Sequence, residues 1–371
     1  MKTGILKITM IPLSVAIIAS CGQETAEWTE PWPDRIELLI ADSIGVETGD
    51  SNYVFGAVGD VCFGAGGEIL VLDQAGGHAR AFSGDGKFIT RIGGPGSGPG
   101  ELSLPLSIAC LEDGRIFILD PMCNSYEVYD GSDFSFIEQV SLWGNNPPMD
   151  PWGLDGNAYL GLKFEMDQTE AVLTGVSTLG RFQMGEENPE YSYYVDEFPV
   201  DLSDFGGLVK NMLCSMVFTG DRQGRVFFSL MSSDAYEVSG FLSNGTELLR
   251  ICIDMPPVPR TQREMDEEKA YMESWVSRVG GIPIEWESEP YRCMITGLGI
   301  DALNRLWVQR GTETAPVFDI FDMNGEHLLS AKFPREGHSW KFHIDQHGIL
   351  AWEEDPERGT QKIYLVELPE M

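Results

Sequence analysis

Few side chains in this 371-residue sequence combine a reactive type with a telling spacing. The histidines are His78, His327, His338, His343 and His347. A catalytic zinc asks for about three imidazole, thiolate or carboxylate ligands converging on one point. Here three histidines crowd into residues 338–347, and His347 stands in the tight turn "DQHG", so loop and surface roles are expected and no metal ligand is assigned. Beyond Cys21, the cysteines are Cys62, Cys110, Cys123, Cys214, Cys252 and Cys293, with neither a CxxC pair nor a zinc spacing. The stretches "EMDQTE" (165–170) and "EEDPERG" (353–359) offer oxygens to calcium without EF-hand spacing. Ca2+ is therefore the one cofactor left open. "GGPGSGPGEL", Gly93 to Leu102, invites a phosphate reading, but it leads into an apolar strand and no Gly-Lys-Ser/Thr follows.

Charge and the amino terminus narrow the setting. With 25 basic and 58 acidic side chains the formal charge is −33, which repels nucleic acid and suits solubility in a salty medium. Lys2 and Lys7 precede an apolar run, Ile8 to Ile18, too short to span a bilayer but suited to a secretory signal. The run ends in Ile18-Ala19-Ser20-Cys21, which resembles a bacterial lipobox. Residues 1–20 are expected to be removed and Cys21 to carry acyl chains such as palmitate, with residues 21–34 as a tether. Gly22 after the cysteine favours the outer membrane. The expected membrane partner is thus reached through the lipid anchor, by a protein read as a monomer.

What positions any site is a repeat. "IACLEDGRIFILD" (108–120) has the frame of "CFGAGGEILVLD" (62–73): Gly114 follows Gly67, Asp120 follows Asp73 and Tyr129 follows Phe82, each by 47 residues. The turn recurs at Gly156, Gly224, Asn304 and Gly348, giving six units of four strands. Units of this length are the mark of an all-β, six-bladed β-propeller. The last unit stops after three strands, at "KIYLVEL". The spare strand Arg35–Gly45 is expected to complete it and close the ring, so that the propeller spans 35–371.

"IACLEDGRIFILD" followed by "YEVYD" resembles the NHL repeat. "GPGEL" before "LPLSIA" matches the linker preceding such blades. The whole is similar to bacterial six-bladed propeller lipoproteins. The resemblance implies the fold, and little about activity. Some NHL propellers are lyases that bind a metal through histidines from several blades, a pattern from which this chain departs.

One segment is not β. Thr261 to Gly281 reads as a helix, with a capping box at Thr261 and Glu264 and an apolar stripe of Met265, Met272, Trp275, Val276 and Val279. It either packs on the propeller or forms a lid over the central opening. Turns within blades are short on one face of the ring, whereas insertions at 185–211 and 255–292 and the polar loops fall on the other. Loops on a rigid frame carry specificity. The expected ligand site on that face comprises Asp73, His78, Arg80, Asp120, Tyr126, Arg310 and Arg358, shielded by Trp275. The expected function is a non-catalytic binding or scaffold module for a peptide, glycan or protein. The alternative is an exported metal-dependent lyase or hydrolase working in the channel, and ligands converging from three or more blades would favour it.

Overall fold

The computed structural model describes residues 30–141, 147–168, 173–213, 215–280, 283–337, 339–353 and 361–369. Residues Trp32–Met371 form one compact unit. Six antiparallel sheets follow one another along the chain. Blade 1 holds Val58–Phe63, Ile69–Asp73, His78–Phe82 and Phe88–Ile92; blade 2 holds Ser107–Cys110, Arg115–Asp120, Ser125–Asp130 and Phe136–Ser141. Blade 3 is Met149–Gly153, Ala158–Gln168, Leu173–Gln183 and Tyr191–Pro199; blade 4 is Met216–Gly220, Val226–Leu230, Tyr236–Phe241 and Glu247–Ile253. Blade 5 is Ile295–Ile300, Leu306–Arg310, Val317–Phe321 and His327–Lys332; blade 6 is Trp340–Asp345, Gly348–Glu353 and Ile363–Glu367.

The first strand of each blade is innermost, and these strands neighbour one another around the full ring, blade 6 returning to blade 1. Middle strands are covered on both faces, which is why they read as unbroken apolar runs such as Ile69–Leu72 and Ile116–Leu119. Apolar clusters fill each seam: Leu70, Leu72, Ile116 and Ile118 between blades 1 and 2, for example, and Trp307, Phe318, Trp340 and Ile344 between blades 5 and 6. Each fully buried Leu or Ile there contributes about 1.5–3 kcal/mol. The turn after the first strand has a positive φ in all six blades, at Gly67, Gly114, Gly156, Gly224, Asn304 and Gly348, so the repeat register is the structural register.

Closure uses two strands where the sequence suggests one. β1 (Arg35–Glu37) adds in parallel to the outer edge of blade 5, with Ile36 opposite Ala331. β2 (Leu39–Ile44) completes blade 6 antiparallel to its third strand, with Ile40 opposite Val366 and Ile44 opposite Ile363. The 185–211 insertion is also shorter than expected, because Tyr191–Pro199 is the outer strand of blade 3. What remains carries α1 (Phe205–Leu213), a helix that its two glycines hide from sequence reading. α2 (Gln262–Gly280) forms as expected. Its capping box is closed in both directions: Thr261 N donates to Glu264 Oε2 at 2.7 Å, and Glu264 N donates to Thr261 Oγ1 at 3.3 Å.

The helical stripe does not lie on the blades. Met272 and Val276 meet Phe205 and Val209 of α1 together with Ile284 and Trp286, a small core separate from the seams. Trp286 Nε1 donates to Glu268 Oε1 at 2.7 Å. Arg292 Nη2 pairs with Glu264 Oε1 at 2.7 Å and Arg292 Nη1 donates to Thr312 O, fastening this helical cap to blade 5.

Candidate functional site

Inner strands start on the loop-rich face, and their side chains alternate between the two flanking seams. A straight strand would present a uniform wall to the axis. β-Bulges in the inner strands of blades 1, 3 and 5, at Val58/Asp60, Met149/Trp152 and Ile295/Gly297, break that regularity near the loop face. In blade 3 the bulge holds Asp150 at φ 50°.

The result is an axial cavity of about 600 Å³, lined from all six blades and from α2, which contributes Tyr271 and Met272. At the loop-face end stand Asp60, Gln74, Ser107, Asp150, Lys341 and Trp352. Towards the other end the bore is crossed by a stack: the Trp152 indole lies 4.5 Å from the His343 ring at 19°, and its Nε1 donates to Gly220 O at 2.8 Å. Arg222, beside it, donates to the carbonyls of Cys110 (3.0 Å) and Leu154 (3.3 Å).

Electrostatics separate the carboxylates in this cavity. Asp60 Oδ2 accepts from Ile108 N at 2.9 Å and Oδ1 from Val61 N at 2.8 Å. Burial pushes its carboxyl up to about 7, against the pull of those N–H groups and of His343, with Asp150 adding to the rise. Burial also works to raise Asp345, but His343, whose Nε2 is 3.5 Å away, and the His347 N–H hold it below the ordinary range. Burial pushes the Cys62 and Cys110 thiols up, so both stay protonated and unreactive.

The residues singled out from sequence lie elsewhere, between the strands of their blades. Asp73 accepts from Gly56 N, Ala57 N and Gly76 N at 3.1–3.2 Å and pairs with Arg80 at 3.1 Å. Asp120 makes the equivalent set with Ser103, Leu104, Met122 and Cys123. His78 Nδ1 meets Gly76 O at 2.7 Å, and Arg80 lies over the Phe55 ring. Tyr126 donates to Pro148 O. Arg310 grips Asp319 through two nitrogens at 2.7 and 2.8 Å. All six are buried, and none lines the cavity. Trp275 belongs to α2, but its side chain, like Arg358 and Cys21, is outside the described residues. So are parts of both acidic stretches considered for calcium. Among the described residues no three His, Cys, Asp or Glu side chains are grouped to hold a metal ion.

The glycine run of 93–102 is a link between blades 1 and 2. Gly100 N donates to Glu127 Oε2 at 2.9 Å, and Tyr129 Oη donates to Gly100 O at 3.2 Å. No phosphate is needed to explain it.

By sequence, residues 38–166 match the profile of a family described as a six-bladed β-propeller. No curated protein matches the chain. Among solved structures, a candidate exported protein of Bacteroides fragilis is similar over 90% of this chain and 95% of its own, at 14% identity and a TM-score of 0.50. A member of the DUF4221 family from Bacteroides vulgatus is similar over 91% of this chain and 99% of its own, at 9% identity and a TM-score of 0.47. The virginiamycin B lyase of Staphylococcus aureus aligns over 84% and 80%, at 12% identity and a TM-score of 0.38. At such identities these likenesses bear on the fold alone. Among the described residues no helix is long and apolar enough to cross a membrane.

Proposed function

We propose that this protein is an exported, NHL-like propeller, tethered to the cell envelope through an acylated Cys21, that captures the end of a peptide or glycan in its axial cavity. One observation carries the reading: a cavity of about 600 Å³ lies on the axis, walled by six rigid blades and reached by α2 through Tyr271 and Met272. That volume is typical of small-molecule sites, which span about 300–1,000 Å³. The loop-rich face remains the side from which a ligand enters, but the contacts move inward from the strand ends to the axis. The helical cap, with its own small core, is the part able to adjust as the ligand seats.

A thermal-shift screen tests this, using neutral oligosaccharides, short peptides, dicarboxylates and alkylamines against the wild type and against Val217→Trp, which fills the cavity wall. Ligand at about 100 times Kd stabilises by about 2.7 kcal/mol. At least one class should raise Tm in the wild type and not in the variant. If none does, the reading is wrong. Labelled palmitate should enter the wild type and be absent from Cys21→Ser.

The lyase or hydrolase reading draws on a single observation: Asp60, Asp150 and His343 line the cavity from blades 1, 3 and 6, although among the described residues no three such side chains are grouped to hold a metal ion. Stoichiometric metal on protein purified from metal-replete cells would favour it.

A further inference from the structure

Among the described residues, Asp60 is a carboxylate in the cavity wall with no ion pair of its own, although His343 lies near enough to favour its charged form. Its hydrogen bonds are one backbone N–H to each oxygen, and among the described residues no Lys or Arg forms an ion pair with it. A carboxylate has about four lone-pair sites, so Asp60 retains acceptor capacity facing the cavity.

Two further groups in the same end of the cavity are also unmet. The Ser107 hydroxyl (3% exposed) and the Trp352 indole N–H (5% exposed) both line the cavity and have no hydrogen-bond partner. An unpaired buried donor carries the full desolvation cost of the group, so it marks a place where an acceptor is missing. The three groups are close in the fold. Ser107 adjoins Ile108, whose N–H holds Asp60. Trp352 sits opposite Lys341 in register and packs with Val58 and Val61 of the strand that carries Asp60. Aromatic and apolar side chains, Trp152, Phe342, Tyr271 and Met272, share the wall with polar and charged ones, among them Gln74, Asp150 and Lys341 at the same end. Indole and phenol faces attract ammonium groups as well as apolar bodies. A net charge of −33 raises the local concentration of cations.

Resting on the axial-site reading above, we infer that the cavity recognises a primary ammonium group, paired with Asp60, on a molecule whose neighbouring oxygen accepts from Trp352 and Ser107. Peptide N-termini and small functionalised amines share this chemistry.

Calorimetric titration of the purified protein with alanyl-phenylalanine, N-acetyl-alanyl-phenylalanine and phenethylamine provides the test. The free dipeptide should bind at least tenfold more tightly than its acetylated form. Asp60→Asn should abolish that preference while leaving the fold intact. Ser107→Ala and Trp352→Phe should each weaken dipeptide binding severalfold, Ser107→Ala without lowering Tm. Affinity for the dipeptide should rise between pH 6 and 7.5 as Asp60 ionises. Equal binding of dipeptide and phenethylamine identifies the ligand as an amine in general; binding of the dipeptide alone identifies a peptide N-terminus. Equal affinity for the acetylated dipeptide, or an Asp60→Asn protein that binds as the wild type does, overturns the inference. So does binding of neither amine probe. In that last case a sugar or dicarboxylate response blocked by Val217→Trp would leave the axial site standing, whereas loss of every response would remove both.

Discussion

Asp73 and Asp60 sit on adjacent strands of blade 1, both set in apolar sequence, and they do opposite things. Asp73 is surrounded by three backbone N–H groups and Arg80, and it ties the link entering the blade to the loop between its middle strands. Asp120 ties the corresponding segments of blade 2 through four backbone N–H groups, without an ion pair among the described residues. Blade 5 varies it, with Asp319 taking Arg310, Tyr236 of blade 4 and Ser330. Asp60 takes two N–H groups, forms no ion pair with Lys or Arg among the described residues and lines the cavity, where Asp150 of blade 3 stands at the same distance from its own turn. In a ring of repeats, a polar residue that recurs at one position is part of the frame. A carboxylate outside that frame, on an inner strand beside the cavity, is the kind to compare with it.

Substitutions sharpen the contrast because the two kinds of carboxylate should respond with opposite sign. Asp319→Ala should have the largest effect, since it takes a buried carboxylate away from the Arg310 guanidinium, the Tyr236 hydroxyl and the Ser330 hydroxyl at once. Removing one partner of a buried ion pair costs about 3–5 kcal/mol, to be read from urea unfolding. Asp73→Asn keeps an acceptor for the N–H groups but removes the charge opposite Arg80. A loss of about 1.5–3 kcal/mol is expected, as for hydrogen bonds to charged groups. Asp60→Asn should stabilise at pH 8. Its carboxyl holds a proton up to about pH 7 in the fold, against the usual 3.8. The folded state therefore loses stability as pH rises from about 4 to about 7, with no further loss above that. Because Asp60 touches the cavity, the variant should gain about 1–2 kcal/mol at pH 8 relative to pH 4, where its amide, with one acceptor for two N–H groups, costs about 1 kcal/mol, measured as Tm against pH. Smallest of all, Ser107→Ala should change stability by no more than about 0.5 kcal/mol, because it loses no hydrogen bond on substitution. If Asp60→Asn destabilises as Asp73→Asn does, the contrast fails.

The same distinction explains what could be read from sequence. The ring was legible because each unit must turn at a residue tolerating positive φ, and Gly67, Gly114, Gly156, Gly224, Asn304 and Gly348 announce those turns. Closure by an early strand was legible from the missing fourth strand of blade 6, although the division into β1 and β2 was not. The candidate site was mostly illegible. Asp73 and Asp120 open polar loops on the loop-rich face, which points to a ligand site, but in the fold they anchor those loops. Asp60 lies in "VGDVCF" and Ser107 in "LSIAC", strands whose patterns say only that they are buried. Their facing the axis follows from bulges and from ring order, neither of which has a sequence mark. His343 was visible as a histidine, but its stacking on Trp152 joins opposite blades and depends on the closed ring.

The pairing of β2 with the last strand also sets a timetable. Ile40 and Ile44 are made among the first residues of the propeller, and their partners Val366 and Ile363 among the last. Until the carboxyl end emerges, β2 has no neighbour in blade 6, and blade 6 has an open edge. A chain that must join its two ends to finish its fold has high contact order and folds slowly. Its ring therefore stays open until the whole chain is available, and it locks only when the two ends meet.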